Sequence, residues 1–195
     1  LAASTKERIV EAALLTLKEE GFAGTSARAV ARRGGFNQAL IFYHFGTLTD
    51  LLLAALDKTS RDRMNRYTVA MSRSDSIEAK IQTAAELYAE DLASGHITVL
   101  SELVTGSLSR PDLGPEVGNR LEPWVDFAEQ AIKEVAGDTP LSKLLPSRTL
   151  AFAVVALYLG VDLLSHLDGD NSRAKALFDA ASRLSPLLDQ LVPAQ

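Results

Sequence analysis

A chain of 195 residues, 47% of them hydrophobic and free of low-complexity tracts, has enough apolar surface for a sizeable core in one domain, or for a small module fused to a larger one. Cysteine is absent, which excludes a disulfide framework and thiolate metal sites and fits a reducing cytoplasm. The net charge of −5 excludes a uniformly basic nucleic-acid binder, yet residues 1–50 hold six cations (Lys6, Arg8, Lys18, Arg28, Arg32, Arg33) against five acids (Glu7, Glu11, Glu19, Glu20, Asp50), so the acidity lies in the rest of the chain.

The opening, LAASTKERIVEAALLTL, has neither the basic start nor the long apolar middle of a signal peptide. Ser4-Thr5-Lys6-Glu7 has the capping-box form, and Ile9, Val10, Ala13, Leu14 and Leu17 follow at helical spacing, which predicts a first helix ending at Gly21. Thr25-Ser26 cap a short second helix, ARAVARR, with Val30 inward and Arg28, Arg32 and Arg33 mostly outward. Gly34-Gly35 supply a turn. A third short helix is predicted over 37–44, and Thr47 with Asp50 opens a fourth over 47–72 that turns from apolar to basic along its length.

Further helices are predicted near 75–94, 97–109, 115–136, 147–167 and 172–191. They are separated by Gly95, Arg110-Pro111, Gly137 to Pro140, Pro146 and Asp168-Gly169-Asp170. Pro123 and Pro186 fall inside two of them and are expected to bend or break them. The longest apolar run, LAFAVVALYLGVDLLSHL at 150–167, is interrupted by Asp162 and is expected to fall short of the roughly 20 apolar residues of a membrane span, forming instead a helix buried on most sides. The pattern predicts an all-α protein of about nine helices. Residues 1–46 form a three-helix, helix-turn-helix module, residues 47–195 a helical body, and the helix at 47–72 connects them.

The third helix, within FNQALIFYHF at 36–45, decides what the module does. Ile41 and Phe45 share a face with Asn37, while Ala39, Leu40 and Tyr43 project from nearly the opposite side. A module this thin cannot bury both faces. Small and branched apolar groups suit thymine methyls in a major groove, Gln38 suits adenine, and Tyr43 and His44 suit phosphates. Arg28 suits guanine or the backbone. The competing reading has Leu40 and Tyr43 packed under the fourth helix or against a second chain.

Residues 5–56 resemble the DNA-binding domain of the tetracycline-repressor (TetR) family of bacterial transcriptional regulators. The resemblance rests on an ordered set: an Ala-Ala pair in the first helix, Gly21, a Thr/Ser start to the second helix, Val30-Ala31, Gly35, Ile41, the aromatic pair at 42–43, His44-Phe45 and Leu51-Leu52. It implies a sequence-specific regulator of double-stranded operator DNA, most simply a cytoplasmic repressor released by a small-molecule effector. The DNA contacts it implies are Thr25, Ser26, Arg28, Gln38, Ala39, Leu40, Tyr43, His44 and Thr47. Two positions depart from the family: Phe42 stands where Tyr is frequent and Leu48 where a phosphate-binding Lys is common. Fewer phosphate contacts imply a shallower salt dependence.

The resemblance also implies that the body binds ligand and dimerises. The helices near 147–167 and 172–191 are the most continuously apolar and are the expected homodimer interface. Polar groups within apolar helices (Tyr88, Asp91, His96, Glu102, Thr105, Tyr158, Asp162), with Trp124 and Phe127 as walls, are the candidate effector contacts. Tyr158 and Asp162, four apart, are the best polar pair. Each has a plainer alternative in core packing, capping or ion pairing. The string His166-x-Asp168-x-Asp170 suits a helix connection better than a metal site, and no cofactor, metal or enzymatic motif is expected. The runner-up reading is a helical ligand-binding or protein-interaction module with weak or lost DNA binding.

Overall fold

The computed structural model describes residues 3–110, 112–136 and 145–191, and for His96, Ile97, Val135, Ala136, His166, Asp168 and 188–191 the backbone alone. The described residues form nine helices: α1 (Thr5–Gly24), α2 (Ala27–Gly34), α3 (Ala39–Phe45), α4 (Leu48–Met71), α5 (Ile77–Ser94), α6 (His96–Leu108), α7 (Gly114–Ala136), α8 (Ser147–Asp168) and α9 (Ser172–Leu191). The all-α reading holds. The expected break at Gly137 to Pro140 lies outside the described residues. The chain divides into two compact units, Leu1–Arg63 with Leu92–Arg120, and Met64–Asp91 with Leu121–Gln195.

In the first unit, α1 starts on the capping box that the sequence announces. The Glu7 amide donates to Ser4 Oγ (3.2 Å) and the Ser4 amide to Glu7 Oε2 (2.7 Å), satisfying two of the orphan donors of a helix start. Its apolar row, Ile9, Val10, Ala13, Leu14 and Leu17, is buried. Gly21 does not simply end the helix. It takes a φ of 67° and a ψ of 179°, kinks the chain, and a last turn runs on to Gly24. Ser26 Oγ accepts from the Ala29 amide (3.1 Å) to start α2, and Gly35 closes it in the left-handed conformation. Leu51, Leu52, Leu53, Ala55 and Leu56 give α4 a buried face, and α6 packs Val99 and Leu103 into the same unit, against α1. Arg120 at the start of α7 pairs with Asp57 of α4 (2.8 Å).

The second unit is held by aromatic and charged contacts between helices. Tyr67 of α4 meets Trp124 and Phe127 of α7 edge to face (centroids 5.4 and 6.3 Å). Arg148 at the start of α8 pairs with Glu122, Asp126 and Glu129 of α7. Gly169 closes α8 in the left-handed region and Asp170 Oδ1 accepts the Ser172 amide (2.8 Å), so that part of the 166–170 string is a helix connection.

Of the two outcomes expected at the prolines, a break does not occur: α7 runs through Pro123 and α9 through Pro186. At Pro186 the missing amide leaves the Ser182 carbonyl without its helical donor, and the Ser185 hydroxyl donates to it instead (2.8 Å). The apolar run of α8 does not fall short of a span: Ser147–Ser165 has the length and apolar content of one. Nor is it buried on most sides, since Phe152, Val154, Leu157, Leu163, Leu164 and Leu167 are exposed, as are Leu177, Leu184 and Leu187 of α9.

Candidate nucleic-acid interface and effector residues

The helix-turn-helix is built by local chemistry. The Asn37 side chain accepts from the Ala39 amide (2.9 Å), so Asn37-Gln38 form a turn and α3 begins at Ala39, two residues later than the periodicity alone suggests. At its other end Thr47 caps α4: the Asp50 amide donates to Thr47 Oγ1 (3.0 Å), and that hydroxyl donates to Asp50 Oδ2 (2.6 Å). Between these two anchors Ile41 is 0% exposed and fixes which way the short helix faces.

Its other side is open. Tyr43 is 82% exposed, which removes the reading in which it packs under α4. Gln38 and Ala39 are exposed and Leu40 is half-buried. The His44 ring stands edge-on to Tyr43 (5.0 Å). Phe45, on the inner row, is half-buried with the Lys6 ammonium over its ring (5.3 Å). Phe42 is 48% exposed beside them, an aromatic face without a hydroxyl.

Arg28 is exposed and lines a shallow groove with Ala31, Arg32, Asn37 and Gln38, which brings the second and third helices to one surface. Arg32 and Arg33 are tied back to α1 through Glu20 and Glu19, whereas Arg28 makes no ion pair among the described residues. Thr25 is buried and its hydroxyl donates to the Gly21 carbonyl (2.6 Å), and Ser26 serves as the α2 cap. The sequence reading had not assigned Arg32 and Asn37 to this surface. Their register one turn from Arg28 and one residue from Gln38 was the available signal.

The body candidates fall into separate places. Tyr88, Tyr158 and Asp162 come together in the second unit: the Tyr88 ring stands edge-on to Tyr158 (5.5 Å) and tilted against Phe178 (5.6 Å), and Asp162 is 1% exposed. The buried Tyr88 hydroxyl lies by Ser165, short of full hydrogen-bond geometry. Burial pushes its pKa up, the Ser165 contact opposes this, and the Asp162 charge adds to the rise. Ser165 and Phe178 were not anticipated, though Ser165 continues the helical row through Tyr158 and Asp162.

Asp91 sits elsewhere, fully buried, accepting from Arg66 (2.5 Å) and Tyr67 (3.0 Å), with Trp124 and Phe127 half-buried around Tyr67. Glu102 belongs to the first unit, where it accepts the Phe22 amide (2.6 Å), and Thr105 is exposed. The side chain of His96 lies outside the described residues.

Comparison with known proteins places this geometry. Residues 9–55 match the bacterial regulatory proteins, tetR family. An HTH-type transcriptional regulator of Mycobacterium tuberculosis is 24% identical over 157 residues, which cover 80% of this chain and 78% of that protein. An HTH-type transcriptional repressor of the same organism is 33% identical over 88 residues, 45% of this chain and 46% of its own. The fatty acid degradation regulator FadR from Bacillus halodurans shares the fold at a TM-score of 0.78 with 16% identity, over 94% of this chain and 96% of that one. The multidrug binding protein EbrR complexed with malachite green shares it at 0.63 with 23% identity, over 98% and 100%. The matched segment holds the whole of α2 and α3, with Ile41 buried beneath and Tyr43 outside, and residues 9–55 carry the helix-turn-helix segment of the tetR family of bacterial regulatory proteins.

Proposed function

We propose that the protein is a cytoplasmic, homodimeric repressor that reads operator DNA with α2 and α3 and releases it when a small molecule binds the body. The observation that carries the DNA reading is the division of α3, with Ile41 fully buried and Gln38, Ala39 and Tyr43 exposed on the other side. An exposed side chain of that size at the end of a seven-residue helix contributes nothing to the core. It fits a groove or phosphate contact, with Arg28 and Gln38 beside it and His44 at the flank. Leu40 and Thr47, with Thr25 and Ser26 at the start of α2, complete the proposed contact surface.

Homodimerisation through α8 and α9 is supported by the row Ala153, Leu157, Gly160, Leu164 and Leu167, all on one face of α8 and none of it buried, with open space beside Gly160. A second copy of the same pair completes a four-helix packing. The effector is proposed to meet Tyr88, Tyr158 and Asp162, a group whose rings and carboxylate lie side by side, whereas the Asp91 carboxylate of the other group is already taken by Arg66 and Tyr67. EbrR, a multidrug binding protein solved with malachite green, is a relative in fold that takes a small molecule. Release then requires the effector to favour the state with lower DNA affinity.

The test is fluorescence anisotropy with labelled DNA flanking the gene itself, at two salt concentrations. Tyr43→Ala is expected to weaken binding about tenfold while moving stability by less than about 0.5 kcal/mol, as for an exposed site. Ile41→Ala is expected to cost about 2–5 kcal/mol of stability, as for a filled core site. Unchanged DNA affinity in Tyr43→Ala refutes the assignment. Absence of binding by the wild-type chain at both salts favours the runner-up reading, which draws on the missing hydroxyl of Phe42 and the missing charge of Leu48.

A further inference from the structure

The kink in α1 has a partner eighty residues away. Gly21 takes non-helical dihedral angles inside α1, and the Phe22 amide that follows it turns to an acceptor outside the helix. Glu102 of α6 supplies one: its Oε2 accepts from Phe22 N at 2.6 Å. On the other side of the kink the freed Gly21 carbonyl accepts from the Thr25 hydroxyl (2.6 Å), and the Thr25 amide donates to the Phe22 carbonyl (3.2 Å). Ser26, the next residue, caps α2 and so fixes the helix that carries Arg28.

The surroundings are shaped to this contact. A Cβ at residue 21 would lie 3.1 Å from Glu102 Oε2, and the φ of +67° is itself one that only glycine adopts without strain. One turn beyond Glu102, Gly106 receives the Phe22 ring, and a Cβ there would stand 2.5 Å from it. Lys18 Nζ donates to the Ser94 carbonyl (2.8 Å) just ahead of α6, with its stem along Gly95. All of these residues lie in the one compact unit that also holds α2 and α3.

We propose that Glu102 is a positioning residue for DNA binding: its carboxylate holds the α1 kink and, through Thr25 and Ser26, sets the start of α2 and the place of Arg28. The inference rests on the DNA-binding reading above. It assigns to Glu102 a role in the helix-turn-helix and none in effector contact. What the contact needs is an acceptor oxygen, so glutamine serves in its place and leucine does not.

The experiment uses the full chain as wild type, E102Q, E102L and the smaller E102A. It reads Phe22 amide exchange by NMR and binding of the labelled flanking DNA by anisotropy. In E102L and E102A, Phe22 exchange is expected to rise about tenfold or more while Ile9 to Leu17 stay protected, and DNA affinity to fall about tenfold, the scale of one lost charge-assisted hydrogen bond. E102Q is expected to stay within about twofold on both. The proposal is overturned by unchanged Phe22 exchange in both loss variants, by faster exchange with unchanged DNA affinity, or by E102Q falling as far as E102L. A wild-type chain that protects Phe22 yet binds no DNA overturns the DNA-binding reading itself, and the positioning role with it.

Discussion

Asp91 offers a direct measurement of what a buried carboxylate does in the second unit. Its side chain is fully buried, and it accepts from Arg66 Nη2 at 2.5 Å and from the Tyr67 hydroxyl at 3.0 Å. Stranding one partner of a fully buried ion pair costs about 3–5 kcal/mol. Arg66 is not stranded, because its side chain keeps 39% exposure and has Glu90 at 3.2 Å, so the ionic part is discounted. What remains is the Tyr67 hydroxyl, on a residue 7% exposed, deprived of its acceptor at about 1–3 kcal/mol, together with the small cavity left by the carboxylate. Asp91→Ala is therefore expected to cost about 2–3 kcal/mol. For a chain of this size that is a fall in Tm of about 4–12 °C, followed by circular dichroism at fixed protein concentration. Asp91→Asn, which keeps an oxygen for Tyr67, is expected to cost about 1 kcal/mol. Removing the hydroxyl as well, in Asp91→Ala with Tyr67→Phe, deletes both ends of the Asp91–Tyr67 hydrogen bond, so the double variant recovers about 1 kcal/mol over additivity. An unmoved Tm in Asp91→Ala, or strictly additive losses, refutes the assignment of Asp91 to structure and reopens it as an effector contact.

Two further outcomes test the surfaces. Leu48 stands half-buried at the start of α4, the position where the family resemblance leads one to expect a phosphate-binding cation; Leu48→Lys is expected to steepen the slope of log affinity against log salt by about 0.9, one added phosphate contact, in anisotropy titrations over several salt concentrations. An unchanged slope removes this helix start from the interface. Leu157→Glu, on the exposed row of α8, is expected to convert a dimer to a monomer at micromolar concentration by light scattering with little loss of helicity, because Leu157 is 53% exposed and supports no core within its own chain. A dimer that survives the charge places the interface elsewhere.

Local signals carried most of the fold into the sequence. The capping box at Ser4, the caps at Ser26 and Thr47 and the left-handed glycines at 35 and 169 each act within three or four residues, so they are readable in one dimension and the helices begin and end near them. The inner and outer rows of α3 were legible for the same reason, since Ile41 and Phe45 are set apart from Tyr43 by helical geometry alone. Even Gly21 was marked, though as a terminus. A sequence shows that glycine is needed there and not that the chain resumes its helix after a kink.

What the sequence does not carry is which polar residue in an apolar helix answers to which distant partner. Asp91, Glu102 and Asp162 look alike in one dimension, each an acid on a largely apolar helix, and all three read there as effector contacts. The fold gives them three different neighbours: a guanidinium and a phenol for Asp91, a backbone amide for Glu102, and an aromatic cluster beside Ser165 for Asp162. A carboxylate drawn away from water needs compensating partners, but that need does not say where along the chain those partners lie. Glu102 shows how far this matters for function. Its acceptor serves an amide eighty positions earlier that only a kink at Gly21 sets free, so the residue that holds the DNA-binding helices in register sits outside the segment where their sequence pattern is found.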